Sequence, residues 1–274
     1  MATKSTNTSG SGKAAKPAAK AESKKNGTAK SANTKSGILK IIKNDSWLEP
    51  FSEAITGRHQ HAVDKERELL GTSSPDLISF ASGHLYYGLH REPRRWVLRE
   101  WAPNATDIFI IGDFNDWKED QAYAMKRVKD SDGNWEAKLP LKAMRHGQLY
   151  KLSIHWDGGQ GQRIPSYANR VVQDEQTKIF SAQVWAPDTA YEWKTLKFKP
   201  NTAPLLIYEC HIGMAQDAEK VGTYKEFTEN VLPRVKKDGY NAIQVMAIQE
   251  HPYYGSFGYH VSSFFAPSSR FGTP

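Results

Sequence analysis

A single cysteine, Cys210, stands in the 274 residues, so no internal disulfide can staple the fold. Its place in an apolar run suits a reducing compartment. No stretch approaches the roughly 20 consecutive apolar residues that a membrane-spanning helix needs, and no secretory apolar core lies near the start. Residues 1–37 hold no large apolar side chain beyond Met1 and no arginine. They cannot bury enough surface to offset the entropy of ordering, so a disordered tail is expected there. The missing arginines and amphipathic pattern argue against an organelle transit peptide. Acid is scarce too: eight lysines face one carboxylate, Glu22. The tail therefore carries the whole formal charge of +7, and residues 38–274 are neutral. That balance argues against a nucleic-acid-reading body and leaves only weak polyanion contact, through the tail.

Beyond the tail the chain is patterned. Leu48, Phe51 and Ile55 recur at helical spacing, with Asp45 as cap and Pro50 in the first turn. A break at Gly57 and a second, charged helix over 59–70 ended by Gly71 are expected. His59 and His61 are two apart and point to different faces of such a helix, which is poor metal-ligand geometry. From Ser79 to about Trp193 the chain reads as all-β. Tyr150, Leu152, Ile154 and Trp156 alternate with Lys151, Ser153 and His155, the period of a half-buried strand. Further strands are expected at 96–101, 108–111, 134–139 and 181–185. Turn chemistry separates them at Ala102-Pro103-Asn104, Asp132-Gly133 and Asp157-Gly158. Short strands at this spacing make a sandwich, with Trp101, Trp135 and Trp156 expected in its core.

After a linker near 199–204 the period changes. A continuous apolar strand over 205–212 precedes a helix over 223–237, with Phe227, Val231, Leu232 and Val235 on one side. A second buried strand comes next, over 242–248. Thr223 and Glu226 stand at capping-box spacing. Strand, helix, strand with apolar strands means a parallel sheet. An aromatic loop punctuated by Gly255, Gly258 and Pro267 then runs to Thr273-Pro274, an N-cap and first-turn pair that reads as the start of a further helix.

The motifs resemble a known family. Trp101-Ala-Pro with Gly112-Asp-Phe-Asn-Asp-Trp117 is similar to family 48 carbohydrate-binding modules. Tyr208-Glu-Cys-His-Ile-Gly-Met214 and His251-Pro-Tyr-Tyr-Gly-Ser-Phe-Gly-Tyr259 look like the opening of the catalytic barrel of 1,4-α-glucan branching enzymes, members of glycoside hydrolase family 13. His260 is a departure, since many relatives carry Gln there. The resemblance implies a multidomain chain: a disordered basic tail (1–37), a helical segment (38–75), an all-β immunoglobulin-like sandwich (76–198) and the truncated start of a (β/α)8 barrel (199–274). It implies a cytoplasmic protein that binds α-glucan and no membrane. The parent reaction cuts an α-1,4 glucan and rejoins the piece at a 6-hydroxyl by retaining double displacement, without a cofactor.

Such chemistry needs two carboxyls about 5–5.5 Å apart, which the family places on later barrel strands. The chain therefore reads as ending before them, and no catalytic residue is named. Glu209 and Glu250 are expected to be a packed, hydrogen-bonded residue and a loop anchor. Binding falls instead to flat aromatic faces, which stack on the C–H faces of glucose. By resemblance Tyr259 is the platform beneath the sugar at the cleavage point; Tyr254 and Phe257 line the cleft, and Trp117 offers its indole on the sandwich. A stand-alone glucan-binding module and a debranching-type relative are the competing readings.

Overall fold

The computed structural model describes residues 38–189, 191–195, 197–199, 203–246 and 248–274; the expectation for the tail lies outside them. The chain divides into two compact units, with the boundary at Arg67/Glu68 inside a helix. Among the described residues no helix is long and apolar enough to cross a membrane.

The first unit holds α1 (Lys40–Asn44) and most of α2 (Ser52–Leu70), joined by a 3-10 stretch, Ser46–Phe51. Asp45 caps that stretch by accepting from the Trp47 amide at 3.0 Å. The break expected at Gly57 is absent: α2 runs straight through it, and Gly57 has open space around its Cα. One glycine costs a helix interior only about 1 kcal/mol.

The second unit opens with two short helical turns, Leu77–Phe80 and Gly83–Tyr86, where β-structure was expected. A sandwich comes after them. Its strands are β1 (Gly88–Glu92), β2 (Arg95–Trp101), β3 (Ala105–Gly112), β4 (Lys126–Arg127), β5 (Asn134–Pro140), β6 (Leu149–Trp156), β7 (Gly159–Arg163), β8 (Val171–Gln173) and β9 (Phe180–Gln183). One antiparallel sheet runs β1-β2-β5-β4; the other runs β3-β6-β9-β8, with β7 paired to β6. Alternate residues turn inward and meet in one core: Trp96 and Leu98, Trp135 and Ala137, Ile108 and Ile110, Tyr150 and Leu152. Trp135 lies in this core as expected, with its indole N–H donating to the Ala102 carbonyl at 2.9 Å.

Two other tryptophans do not. Trp101 is 53% exposed at the end of β2, its indole tied to the Asp132 carbonyl. Trp156 is 37% exposed and lies across β7, where a Cβ on Gly159 would come within 3.0 Å of the indole nitrogen. Trp101 leaves β2 on the face opposite the inward Trp96 and Leu98, and Trp156 ends β6.

Beyond the sandwich, β10 (Ile207–His211) and β11 (Ala242–Met246) pair in parallel. Between them a helical stretch covers Tyr224–Glu226, a wider π turn at Phe227–Val231, and Leu232–Lys237. Thr223 and Glu226 form the full capping box. Phe227, Cys210, Ile212 and Phe271 pack a second core, with Val231, Leu232 and Val245 against it. The two strands are less buried than their apolar sequence indicates: Leu205, Leu206, Ile207 and Ile243 are exposed. A pair of parallel strands with a helix beside it cannot cover both of its faces. Last, β12 (Gln249–Glu250) pairs antiparallel with β13 (Ser263–Pro267) and closes the aromatic loop. That loop is joined to the sandwich: Ala266 is buried in the sandwich core, and Phe265 stacks on Tyr167 at 4.2 Å.

Candidate functional site

The aromatic loop is built on one carboxylate. Glu250 is fully buried. Its Oε1 accepts from the His251 amide at 3.0 Å and the Ser268 hydroxyl at 3.3 Å, and its Oε2 from the Ser269 amide at 2.7 Å. One side chain thus ties both ends of the loop together, as the anchoring role requires. Glu209 corrects the paired expectation: its side chain is exposed on β10 rather than packed. His251 is also fully buried, its Nδ1 at 2.9 Å from the Gln249 carbonyl.

Within the loop the backbone turns sharply. Residues Tyr254–Ser256 form a 3-10 turn, and the next residue, Phe257, takes φ +52 ahead of Gly258 at φ +83. A bulky residue in the left-handed region is strained and persists where its surroundings fix it. The exposed Tyr253 side chain folds back over Gly255, where a Cβ would come within 2.5 Å of its Cζ and hydroxyl and would push that ring aside.

Tyr254 and Phe257 are brought together. Both place their rings edge-on to buried His211, at 6.0 and 6.1 Å between centroids, and both line a hollow of about 440 Å3 with Gly213, Gln216 and Lys220. Burial, and then the nearby His251, hold the His211 imidazole below its usual range. Neither His211 ring nitrogen has a hydrogen-bond partner among the described residues. Tyr259 is elsewhere: it stands 76% exposed and is not among the residues lining that hollow.

Trp117 lies apart from the loop, on a turn of the sandwich, and the sequence around it explains its pose. Asn115 bridges the turn, accepting from the Gly112 amide and donating to the Ile110 carbonyl, each at 2.9 Å. Asp116 and Trp117 both take left-handed φ, +54 and +60. The indole N–H donates to Asp113 Oδ1 at 3.0 Å, while Asp113 Oδ2 accepts from the Leu149 amide. Gly112 is required here, since a Cβ would lie 2.3 Å from the Leu149 carbonyl oxygen. The result is an indole held in one orientation and about one-third exposed, with its donor already used and only its ring left to offer.

Two features escaped sequence reasoning. On β6, Ser153 Oγ and His155 Nε2 each lie 2.7 Å from Glu119 Oε1. These bonds, Ser153 first, hold the Glu119 carboxyl below its ordinary range. The alternation of Lys151, Ser153 and His155 was the available signal, since all three leave the strand on its outer face. The second is a hollow of about 330 Å3 lined by Tyr87, Glu100, Trp101, Ser166 and Tyr167. Tyr87 and Tyr167 stack at 5.1 Å. Glu100 is buried, accepting from the Trp101 amide at 2.9 Å and the Ser166 amide at 2.7 Å, and burial pushes its carboxyl up. No group of three or more metal-ligating side chains occurs among the described residues.

Known proteins share both the sandwich and the sequence around it. Residues 86–174 match the model of carbohydrate-binding module 48, the isoamylase N-terminal domain. A 1,4-alpha-glucan-branching enzyme of Yarrowia lipolytica is 42% identical over 246 residues, 86% of this chain and 35% of that protein. One from Rhizophagus irregularis is 42% identical over 249 residues, 88% of this chain and 35% of that protein. The chain thus spans about a third of the length of the curated relatives it matches. Among solved structures, a pullulanase complexed with maltotetraose, from an Anoxybacillus species, superposes with a TM-score of 0.53 at 18% identity, over 68% of this chain and 30% of that one. That likeness is one of fold. Residues 86–174 are thus similar to carbohydrate-binding module 48, and the chain that carries them is similar to 1,4-alpha-glucan-branching enzymes over about a third of their length.

Proposed function

We propose that this chain is the glucan-gripping part of a 1,4-α-glucan branching enzyme, a transferase that cuts α-1,4 chains and rejoins them as α-1,6 branches. Its parts are the tail (1–37), the helical segment (38–75), the sandwich (76–198), and the first strands of a (β/α)8 barrel (199–274). The observation that carries the reading is the pair of aromatic surfaces at specific positions, Trp117 on a rigid turn and the loop bearing Tyr254, Phe257 and Tyr259. Flat rings exclude water from the apolar faces of glucose without demanding a fixed hydrogen-bond pattern. Parallel pairing of β10 with β11 through a helix supports the barrel reading, since a (β/α) barrel repeats that unit. The cytoplasm suits a chain with a buried free thiol, Cys210.

Within these residues binding is expected without turnover. A retaining mechanism needs an exposed nucleophile and an acid about 5–5.5 Å away, whereas Glu250 is buried and committed to three donors. Titration with maltoheptaose and retention on glycogen test the reading. Wild type should bind, and Trp117→Ala and Tyr259→Ala should each weaken binding several-fold. No retention by folded wild type, or loss-free behaviour of both variants, would overturn it. Appearance of α-1,6 linkages by NMR after incubation with amylose would overturn the expectation of binding alone.

A further inference from the structure

Arg170 belongs to the sandwich, one residue before β8, yet its side chain ends on the far segment of the chain. It is 7% exposed, and its Nη1 donates to the Gly272 carbonyl at 2.6 Å. The guanidinium carbon lies 5.6 Å from the centre of the Trp185 ring, and Nε has no hydrogen-bond partner among the described residues. A buried cation with a single short bond to a neutral carbonyl is poorly compensated. The compensation is electrostatic. Burial lowers the guanidinium pKa, and the Glu250 carboxylate, then the Tyr224 phenol, draw it back up.

Glu250 stands at one end of the aromatic loop and Gly272 lies just past the other; Arg170 bonds the second and feels the charge of the first. Three residues earlier, Tyr167 stacks on Phe265 with an interplanar angle of 21°. One short sandwich segment therefore makes a ring contact and a charged contact with the same loop.

We propose that Arg170 is a positioning residue: docked on Gly272 and facing the charge of Glu250, it fixes the aromatic loop against the sandwich, so that Tyr254, Phe257 and Tyr259 meet a saccharide in one arrangement. The role in sugar binding rests on the proposed glucan-gripping function; the clamp itself does not. An arginine suits the task because its planar fork reaches a carbonyl, an aromatic face and a carboxylate's field together, without losing its charge on burial.

The test uses the whole 274-residue chain. Arg170→Met should speed hydrogen exchange over residues 251–262 about tenfold while β3 and β6 keep their protection, and should raise the dissociation constant for maltoheptaose several-fold. Arg170→Lys should recover part of both effects. In a Glu250→Gln background Arg170→Met should add less than it adds to wild type, since the two groups act on each other. Unchanged exchange over 251–262 in a folded Arg170→Met chain sinks the clamp, whatever the sugar does. Should that variant also lose protection in β3 and β6, Arg170→Gln and Glu250→Gln decide by the same measure. If wild type binds no maltoheptaose, the function reading fails and exchange alone judges the clamp.

Discussion

The tryptophans show how far a single residue can be read from its neighbours. Trp101, Trp135 and Trp156 all alternate with polar residues in strands, and the pattern assigns all three to the core. Only Trp135 is there, on the face of β5 it shares with core Ala137 and Leu139; Trp101 leaves β2 on the face opposite core Trp96 and Leu98, and Trp156 ends β6. Sequence alternation reports which face a side chain leaves from, but not whether anything covers that face. The energetic consequence is measurable. Trp135→Ala should cost about 3–5 kcal/mol, the usual range for an emptied aromatic core site, and Trp101→Ala about 1 kcal/mol; urea midpoints of the two variants compare them directly. Glu100 gives a second residue-level prediction. Its folded pKa is raised by burial, so in the window above the ordinary glutamate value, about 4.3, the folded chain holds more protons than the unfolded one. Stability contributed by protonated Glu100 is therefore present at low pH and falls as pH rises through that window. Glu100→Gln should flatten that slope. It should also destabilise at neutral pH by about 1–3 kcal/mol, because an amide NH2 cannot accept from the Trp101 or Ser166 N–H. A stabilised, pH-flat variant would show that desolvation outweighs the one bond the amide loses.

At the scale of elements, local chemistry was legible where it is short-range and hidden where partners decide. The capping box at Thr223 and Glu226 was visible as a spacing and is present in full. Strands β5 and β6 follow from alternation, and β2 and β3 from apolar runs bounded by turn residues. Strand β7, Gly159–Arg163, could not be read, since Gly-Gln-Gly-Gln-Arg has no β preference; it is a strand because the hairpin turn lays it along β6. The π turn at Phe227–Val231 also escaped the periodicity. Its cause is nearby: Pro233 has no N–H to give the Glu229 carbonyl and its ring crowds that oxygen. The chain instead widens, with the Leu232 amide reaching back to the Phe227 carbonyl. Helix initiation here should then depend heavily on its cap. Thr223→Ala is expected to cost about 1 kcal/mol, and Glu226→Ala in the same chain should add less than its own single cost, because each residue serves the other's amide. Additive losses in thermal unfolding would mean that the box is not acting as a unit.

The molecule as a whole joins parts of unequal strength. The sandwich buries two sheets against each other, whereas β10 and β11 form a two-stranded parallel pair with apolar residues still exposed beside it. A sheet so small is marginal by itself, so amides of Ile207–His211 and Ala242–Met246 should exchange well before those of Ala105–Gly112 and Leu149–Trp156. Acid should widen that gap, and His211 is the reason. Its ring is buried against Tyr254, Phe257 and Phe271, and its pKa is lowered by burial and by His251. The unfolded chain takes up a proton near the ordinary histidine value of about 6.5, while the folded chain resists it. Stability from neutral His211 is therefore whole above that value and is lost as pH falls below it. Hydrogen exchange corrected for its intrinsic pH dependence should show residues 207–214 and 251–271 opening more readily at about pH 5 than at about pH 7.5, the interval in which histidine changes charge, with the sandwich little altered. His211→Phe keeps a ring of similar shape in the same aromatic nest and cannot titrate, so it should remove the difference. If the variant opens in acid as readily as wild type, another group carries the response.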